Sequence, residues 1–257
     1  MPVIHQKPSL VTQIVEKRGL LVHGDGVAPH RHTEGQLLYP SAGVLATTTK
    51  RGTWVAPANR VAWTPPGFEH YHRAYGQTEV RVVEVAGALC ASLPDQPMVF
   101  AVSPLLREAL LVLTSGRELR PEARDRLRGV VVDELVDGHE EALYLPEPTD
   151  DRLRAVTDLL HADPAASLTL AELGRSVGAS ERTLSRLFQT ELGLSFHQWR
   201  SLLRVQHALI RLAEGVAVID TAARLGWANP TSFIEAFTAI VGQTPGRYQM
   251  ELRHRDR

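Results

Sequence analysis

Two histidines stand one residue apart in the stretch APHRHTEGQLLYPSAG, residues 28–43, and an alternating apolar run follows them. Side chains on a β-strand point to the same face at every second position, so His30 and His32 present both imidazoles to one side. Neutral imidazole is a common ligand of transition metals. The pattern therefore predicts a metal site, although histidines that pack inside a sheet or line a metal-free ligand pocket would share the same spacing.

Composition limits the classes of protein to which the chain can belong. The 257 residues suffice for two domains, and 44% hydrophobic and 22% charged residues are typical of globular chains. A net charge of −1 gives no overall attraction to nucleic acid or membrane. The N-terminus lacks an apolar signal segment and no apolar run reaches the roughly 18 residues of a membrane span. A lone Cys90 excludes an internal disulfide and a thiolate-cluster zinc site, so we expect a cytoplasmic protein with no membrane partner.

The predicted secondary structure changes from β segments to helices near residue 100. Residues 20–86 read as short β segments separated by Gly and Pro every 8–12 residues, the spacing of an antiparallel barrel or sandwich. A helix is predicted to start at Pro104 with Ser103 as its N-cap, and another runs from Pro121 to near Gly138.

The predicted organisation is an α+β chain of two domains joined by a helical region. Residues 1–100 form the sensing β domain, residues 101–143 are helical, and residues 144–257 form an all-α domain. The two prolines of residues 144–150 indicate a linker at the start of the last domain.

An internal repeat occupies the C-terminal half. An offset of 49 residues superimposes Ser180 on Asn229 and Phe188 on Phe237, and Leu184 and Gly193 on Phe233 and Gly242. Each copy holds a short helix, a glycine turn, a capping residue and a second helix. This order is typical of a helix-turn-helix, used here twice.

The second helix of a helix-turn-helix enters the major groove, where its N-terminal residues contact base edges. The apolar stripe in each copy leaves a polar face outward, and arginine there suits guanine while glutamate suits the cytosine amino group. The predicted base-contacting residues are Arg182, Ser185, Arg186, Pro230, Thr231 and Glu235. Residues 149–257 contain 13 Arg and no Lys against 12 acidic residues, a net of +1, so the prediction depends on the pattern rather than on charge.

These stretches, especially GASERTLSRLFQTELGLSF and LGWANPTSFIEAFTAIVGQTPGRY, resemble the AraC/XylS family of bacterial transcription regulators over about residues 150–250. The resemblance implies seven helices, with a long one near 196–213 that holds two DNA-reading modules. It also implies a double-stranded operator, and in some relatives control of a neighbouring efflux or detoxification gene. Glu235 departs from the basic residue of some relatives, so the second module is expected to read different bases or to bind weakly.

The β half resembles the cupin barrel. The first cupin motif matches at Gly24, His30, His32 and Gly43, with Gln36 where the family carries glutamate. The second motif matches at Pro65, Gly67 and His70.

The cupin resemblance implies that His30, His32 and His70 converge on one divalent transition metal (Zn, Ni, Fe, Cu or Mn), with Gln36 as a weak fourth ligand or hydrogen-bond partner. Glu34 shares the strand parity of His32 and is a substitute ligand. Together with Glu34, the predicted lining of a ligand pocket consists of Trp54, Trp63 and His72.

The sequence thus predicts a regulator, not an enzyme, whose barrel senses a small molecule or metal ion and controls operator binding. A stripe of Leu127, Val131 and Leu135 fits a homodimer helix or intramolecular packing. Two other interpretations remain: a cupin metalloenzyme fused to a DNA-binding domain, and a constitutive regulator with a non-functional barrel.

Overall fold

The computed structural model describes residues 16–138 and 143–255. Its strands are β1 (Glu16–Leu21), β2 (Gly26–His30), β3 (Gly35–Thr49), β4 (Gly52–Pro57), β5 (Arg60–Thr64), β6 (His70–Val85), β7 (Met98–Ala101) and β8 (Tyr144–Pro146). Its helices are α1 (Gly87–Ala91), α2 (Pro104–Leu113), α3 (Pro121–Val136), α4 (Asp151–Ala162), α5 (Leu170–Ser176), α6 (Glu181–Leu192), α7 (Phe196–Ala213), α8 (Val218–Arg224), α9 (Pro230–Val241) and α10 (Pro245–Arg255). No helix within these residues is long and apolar enough to cross a membrane.

The eight strands form one antiparallel sheet, which we call the β domain, built around two long neighbours, β3 and β6. β3 also pairs with β4 and β5, while β6 also pairs with β1 and β2. The β3–β6 register shifts on either side of Ala42, where Gly43 has a φ of +76°. A Cβ there would lie 2.4 Å from the Gln77 carbonyl oxygen, so only glycine fits this bulge.

Alternation along β3 buries residues on both faces of the sheet. Leu37 and Tyr39 pack with Trp63 and the apolar residues of α2 and α3. Leu38 and Leu45 belong to a second apolar cluster, which continues without a break into the C-terminal helices. The predicted combination of an antiparallel sheet and a helical C-terminal region is confirmed in this coarse form.

The helices after β7 begin as the sequence predicts. Ser103 Oγ accepts a hydrogen bond from the Leu106 amide at 3.0 Å, and Pro104 opens α2. The apolar stripe of α3, which fits a homodimer helix or intramolecular packing, packs within the chain. Val131 and Leu135 are each 1% exposed and contact α2 and the sheet. Leu127 is partly buried against the same cluster.

The predicted linker over residues 144–150 starts differently, since residues 144–146 form β8. This strand pairs with β4, so that Trp54 lies opposite Tyr144. The predicted boundary at residue 144 therefore falls at the first residue of an edge strand of the sheet, and the chain leaves the β domain only after Pro146. Among the described residues that follow, seven helices complete the fold.

Candidate functional site

Three of the predicted histidines converge at the ends of two paired strands. β2 ends at His30 and β6 begins at His70, and the two residues are opposite one another in the antiparallel register. His32 lies in the turn between β2 and β3, and its carbonyl oxygen accepts a hydrogen bond from the Gly67 amide at 2.9 Å. The turn before β6 and the turn after β2 are thereby tied together, which brings all three imidazoles to one point.

One ring nitrogen from each of His30, His32 and His70 lies within 4.8 Å of the other two. The ring centroids of His30 and His70 are 4.4 Å apart, and those of His32 and His70 are 4.9 Å apart. Three nitrogens about 2 Å from a single ion lie within about 3.5 Å of each other. Small side-chain rotations would therefore suffice for the three histidines to share one ion.

Each of these imidazoles is held by the same kind of hydrogen bond. Nδ1 of His30 lies 2.9 Å from a backbone carbonyl oxygen, and Nδ1 of His32 and of His70 each lie 2.8 Å from another. A carbonyl oxygen only accepts, so Nδ1 carries the proton in the neutral ring and the lone pair is then on Nε2. The three acceptors are the carbonyls of Ala28, Glu34 and Phe68.

Nε2 of His32 and Nε2 of His70 are buried and have no hydrogen-bond partner among the described residues. An unsatisfied buried acceptor costs about 1–3 kcal/mol. Carbonyl-oriented imidazoles that leave Nε2 free are the arrangement of metal-binding histidines. The donor set therefore fits a transition metal.

The pKa of His70 is lowered to about 4, mainly by burial; the hydrogen bond to the Phe68 carbonyl opposes the shift, and the nearby His30 and His32 contribute to it. Burial likewise holds the pKa of His72 well below its usual range, with the neighbouring histidines acting in the same direction. Both rings are neutral near pH 7. Neutral imidazole is the form that binds a metal.

His72 is a fourth imidazole beside the three, and its ring centroid lies 4.8 Å from that of His70. Its Nδ1 is 3.0 Å from the Thr47 hydroxyl, and its Nε2 is buried without a partner in the part of the chain that the structure describes. Thr47 is a residue that sequence reasoning missed. Its partner lies 25 positions away, and only the β3–β6 register brings the two together.

The other predicted pocket residues separate into different places. The carboxylate of Glu34 accepts a hydrogen bond from the Thr33 hydroxyl at 2.6 Å, and Glu34 is absent from the group of metal-ligating side chains found among the described residues. Gln36 lies opposite Thr64 on β5, and Gln36 Oε1 is buried with no partner in the described ranges. Trp54 stacks on Tyr144 with ring centroids 4.7 Å apart.

Trp63 and Glu34 line a pocket of about 530 Å³ beside the histidine turn. The indole Nε1 of Trp63 donates to the Pro94 carbonyl at 2.8 Å, which fixes one wall. The remaining lining combines the polar residues Thr33 and Asp95 with apolar ones, which include Pro65, Pro66, Phe68, Val85, Cys90 and Leu93. Trp54 and His72 are not part of this lining.

The second helix of each repeat has the same length and the same ends. α6 and α9 each have 12 residues. Ser180 Oγ accepts from the Thr183 amide at 3.1 Å, and Asn229 Oδ1 accepts from the Ser232 amide at 2.8 Å. Gly193 and Gly242 end the helices in the left-handed conformation, with φ of +68° and +79°. The repeat of 49 residues thus extends to both caps.

The six residues predicted to contact bases are all exposed in the structure. They are Arg182, Ser185, Arg186, Pro230, Thr231 and Glu235. The opposite faces of the two helices are buried, with Leu184, Phe188, Phe233 and Phe237 at 0% exposure. Ile234 is 37% exposed and so lies on the outer side.

Arg204 of α7 joins the two repeats. Its Nε donates to the Pro164 carbonyl at 2.8 Å and its Nη2 to the Ala166 carbonyl at 3.1 Å, both in the turn before α5. Its Nη1 donates to the Gly226 carbonyl at 3.1 Å, in the turn before α9. The sequence alone gave no signal for this role, since the residue lies in an unremarkable amphipathic helix.

The chain is similar to several known proteins. Residues 173–251 match the HTH_18 family, a helix-turn-helix domain. The chain is 32% identical over 222 residues to the HTH-type transcriptional regulator NimR of Escherichia coli (strain K12). The aligned residues cover 85% of this chain and 81% of NimR. It is 35% identical over 103 residues to the HTH-type transcriptional regulator RipA of Corynebacterium glutamicum, covering 40% of this chain and 31% of RipA. The solved structure of ToxT from Vibrio cholerae aligns with a TM-score of 0.40 and 11% identity over 92% of this chain and 97% of ToxT.

Proposed function

The chain belongs to the AraC-type family of HTH-type transcription regulators, and on that premise we propose that it is a sequence-specific regulator under effector control. In this proposal the β domain is a cupin-type sensor that binds a divalent transition metal through His30, His32 and His70. Binding there, of the ion alone or with a small molecule beside it, changes the affinity of two helix-turn-helix modules for an operator. The observation that carries the proposal is the convergence of three carbonyl-oriented imidazoles in a chain of this family.

The DNA-reading part of the proposal assigns α6 and α9 to successive major-groove segments. Arg182 and Arg186 suit bidentate hydrogen bonds to guanine, and Glu235 suits the cytosine amino group. The net charge of +1 over residues 149–257 supplies little attraction to phosphate. Sequence selectivity at modest non-specific affinity is therefore expected.

Selection from a random duplex pool, followed by fluorescence anisotropy on the selected duplex, tests this assignment. Arg182→Ala should weaken binding by about 5- to 150-fold and relax the base preference at one position. Gln189→Ala, an exposed change farther along α6, is the control and should leave both unchanged. Equal loss of affinity in both variants, or no selected sequence at all, would refute the assignment.

The sensing part assigns Nε2 of the three histidines to the ion. A bound ion supplies a Lewis-acidic centre, and three neutral imidazoles leave its positive charge uncompensated, which favours an anionic group in an open position. Gln36 contributes through its buried amide oxygen, as a weak ligand or as a hydrogen-bond partner to whatever fills that position. The adjoining pocket of about 530 Å³ would then hold the organic part of an effector.

Elemental analysis of untagged protein purified without added metal tests the site. We expect about one transition-metal ion per chain, lost in His30→Ala/His32→Ala and kept in His197→Ala, a change at an exposed histidine of α7. Absence of metal from the parent, even after dialysis against Zn²⁺, would refute metal sensing and leave a metal-free ligand pocket.

The proposal includes a homodimer, which the buried face of α3 is not free to mediate. Sedimentation of the intact chain with and without the selected duplex tests this point. The proposed role is regulation and not catalysis, and the two relatives carry the name HTH-type transcriptional regulator. Conversion of substrate at the metal, with no change in DNA affinity, would favour the metalloenzyme instead.

A further inference from the structure

Gln206 reaches from the long helix α7 into the β domain. Its side-chain Nε2 donates to the Leu143 carbonyl at 2.9 Å and to the Thr53 carbonyl at 3.2 Å. The residue is 4% exposed. One NH₂ group carries two hydrogens in a fixed angle, so both acceptors are satisfied only at one placement of α7 against the sheet.

The two acceptors belong to segments that are far apart along the chain. Thr53 lies on β4, and Leu143 directly precedes β8, which pairs with β4. The two hydrogen bonds of Gln206 therefore depend on the position of this sheet edge relative to α7. Because α7 also carries Arg204, which holds both repeats, a displacement of α7 is passed to both DNA-reading helices.

A continuous set of contacts connects this edge with the histidines. The His72 ring lies against His70, and His72 Nδ1 is 3.0 Å from the Thr47 hydroxyl of β3. From Thr47 the route follows the backbone of β3 to Thr48, whose side chain points to the opposite face, and the hydroxyls of Thr48 and Thr53 are 3.0 Å apart across the β3–β4 pair. The Thr53 carbonyl then accepts the hydrogen bond from Gln206.

We propose that Gln206 is a positioning residue that couples occupancy of the histidine site to the placement of α7, through the β3–β4 pair. The inference rests on the proposed function, since it names the physical route by which the sensing site controls DNA binding. Drawing His70 toward a ligand displaces His72 and Thr47, which shifts β4 against β8 and breaks or completes the double hydrogen bond of Gln206. Coupling of this kind requires two arrangements whose populations both sites bias.

The chain supplies a matched control for Gln206 in Gln249 of α10. Gln249 is also a buried glutamine, 8% exposed, and its Nε2 also donates to two carbonyls. Those carbonyls belong to Leu212 of α7 and to Val216 in the turn between α7 and α8. Gln249→Met therefore removes an equivalent pair of hydrogen bonds without touching the β domain.

The test measures the dissociation constant of the pool-selected duplex in the presence and absence of saturating Zn²⁺, in the full chain. The ratio of these two dissociation constants, with and without Zn²⁺, should differ from one by about 5- to 150-fold in the parent, which is the usual range of allosteric coupling. In Gln206→Met the ratio should fall to within about twofold of one while Zn²⁺ still binds, and in Gln249→Met it should match the parent. By linkage, the effect of the duplex on Zn²⁺ affinity should disappear in the same variant.

Thr47→Val supplies a second variant at the other end of the route, because it removes the hydroxyl that contacts His72 and keeps the shape of the side chain. It should also reduce the ratio. A parent ratio of one refutes metal control in the proposed function, and the relay with it. A parent ratio that survives unchanged in both Gln206→Met and Thr47→Val refutes the relay alone.

Discussion

Replacement of Arg204 tests whether the two helix repeats act as one reading unit. The guanidinium is buried, with the residue 8% exposed, and it donates to carbonyls on both sides of the junction. Arg204→Met keeps the aliphatic volume and removes every donor. Three carbonyls, those of Pro164, Ala166 and Gly226, then lose a donor within 3.1 Å, and the Ala165 carbonyl loses a longer contact of 3.5 Å.

The expected cost follows from these three hydrogen bonds. At about 1 kcal/mol for each buried carbonyl left without a donor, the free energy of unfolding should fall by about 3 kcal/mol. Arg204→Lys should recover only part of this, because one ammonium does not reproduce the fork that spans two turns. Urea denaturation followed by tryptophan fluorescence measures the difference.

Arg200 provides the reference on the same helix. Its Nη1 donates to the Leu168 carbonyl at 3.1 Å, so it holds only the first repeat, and Arg200→Met should cost about 1 kcal/mol. The two variants should differ further in DNA binding. The parent and Arg200→Met should prefer the selected duplex strongly over one with half a helical turn inserted between its halves, whereas Arg204→Met should show a weaker preference.

Two results would refute the reasoning about Arg204. One is an unfolding free energy equal to that of Arg200→Met, which would mean that the junction carbonyls are satisfied without the guanidinium. The other is a spacing preference as strong as that of the parent in a folded Arg204→Met. The second would show that packing around α7 alone fixes the angle between the repeats.

Three further predictions concern stability. Burial lowers the pKa of His207 to about 4, with His161 and Arg211 adding to the shift, so the unfolded chain binds a proton from about pH 6.5 downward while the folded chain resists until about pH 4. The parent should therefore lose about 2 kcal/mol of unfolding free energy as the pH falls through this window, and His207→Gln should not. Denaturation at several pH values measures this, and an equally steep dependence of the unfolding free energy on pH in the variant would contradict the prediction. Gly226→Ala should cost about 3 kcal/mol or more, because φ is +71° and a Cβ would lie 2.5 Å from the Ala165 carbonyl oxygen; Gly193→Ala, with φ of +68° and no described atom within 4 Å, should cost about 1–2 kcal/mol. Ser180→Ala should lower the unfolding free energy by about 1 kcal/mol and Ser180→Asp should not, because only the alanine removes the N-cap acceptor of α6, and thermal unfolding of both variants checks this.

The helical half could be predicted in detail because its signals are local. Caps and glycines mark helix ends within a few residues, and the offset of 49 makes each copy a check on the other. Ser180 and Asn229 cap the helices that the pattern indicates, and the buried phenylalanines lie on the faces that their spacing requires. The grouping of His30, His32 and His70 is the one that the cupin resemblance implies, whereas the expected placement of His30 and His32 on one strand is wrong, because β2 ends at His30 and His32 lies in the turn that follows.

Features that depend on pairing between distant segments could not be read from the pattern. β8 looks like a proline-rich linker in the sequence, since its strand character comes from the partner β4, about 90 positions away. The stripe of α3 was equally compatible with a partner chain, and only the packing of α2 decides that it is internal. Thr47 and Gln206 carry no sequence signal, because a hydroxyl or an amide gains its role only from the partner that the fold places beside it.

One continuous apolar core connects the β domain with the C-terminal helices. The apolar cluster that begins with Leu38 and Leu45 of β3 extends through Leu203 and Leu209 of α7 to Phe237 of α9. Protein interiors pack like crystals, so a shift at one end of such a cluster is transmitted or resisted as a whole. Arg60 adds a polar contact at its far end, because its Nη2 donates to the Val241 carbonyl at 2.7 Å, at the end of α9. The β domain therefore holds both the middle of α7 and the end of α9, so a shift of the sheet reaches these two helices through direct contacts rather than through a flexible linker.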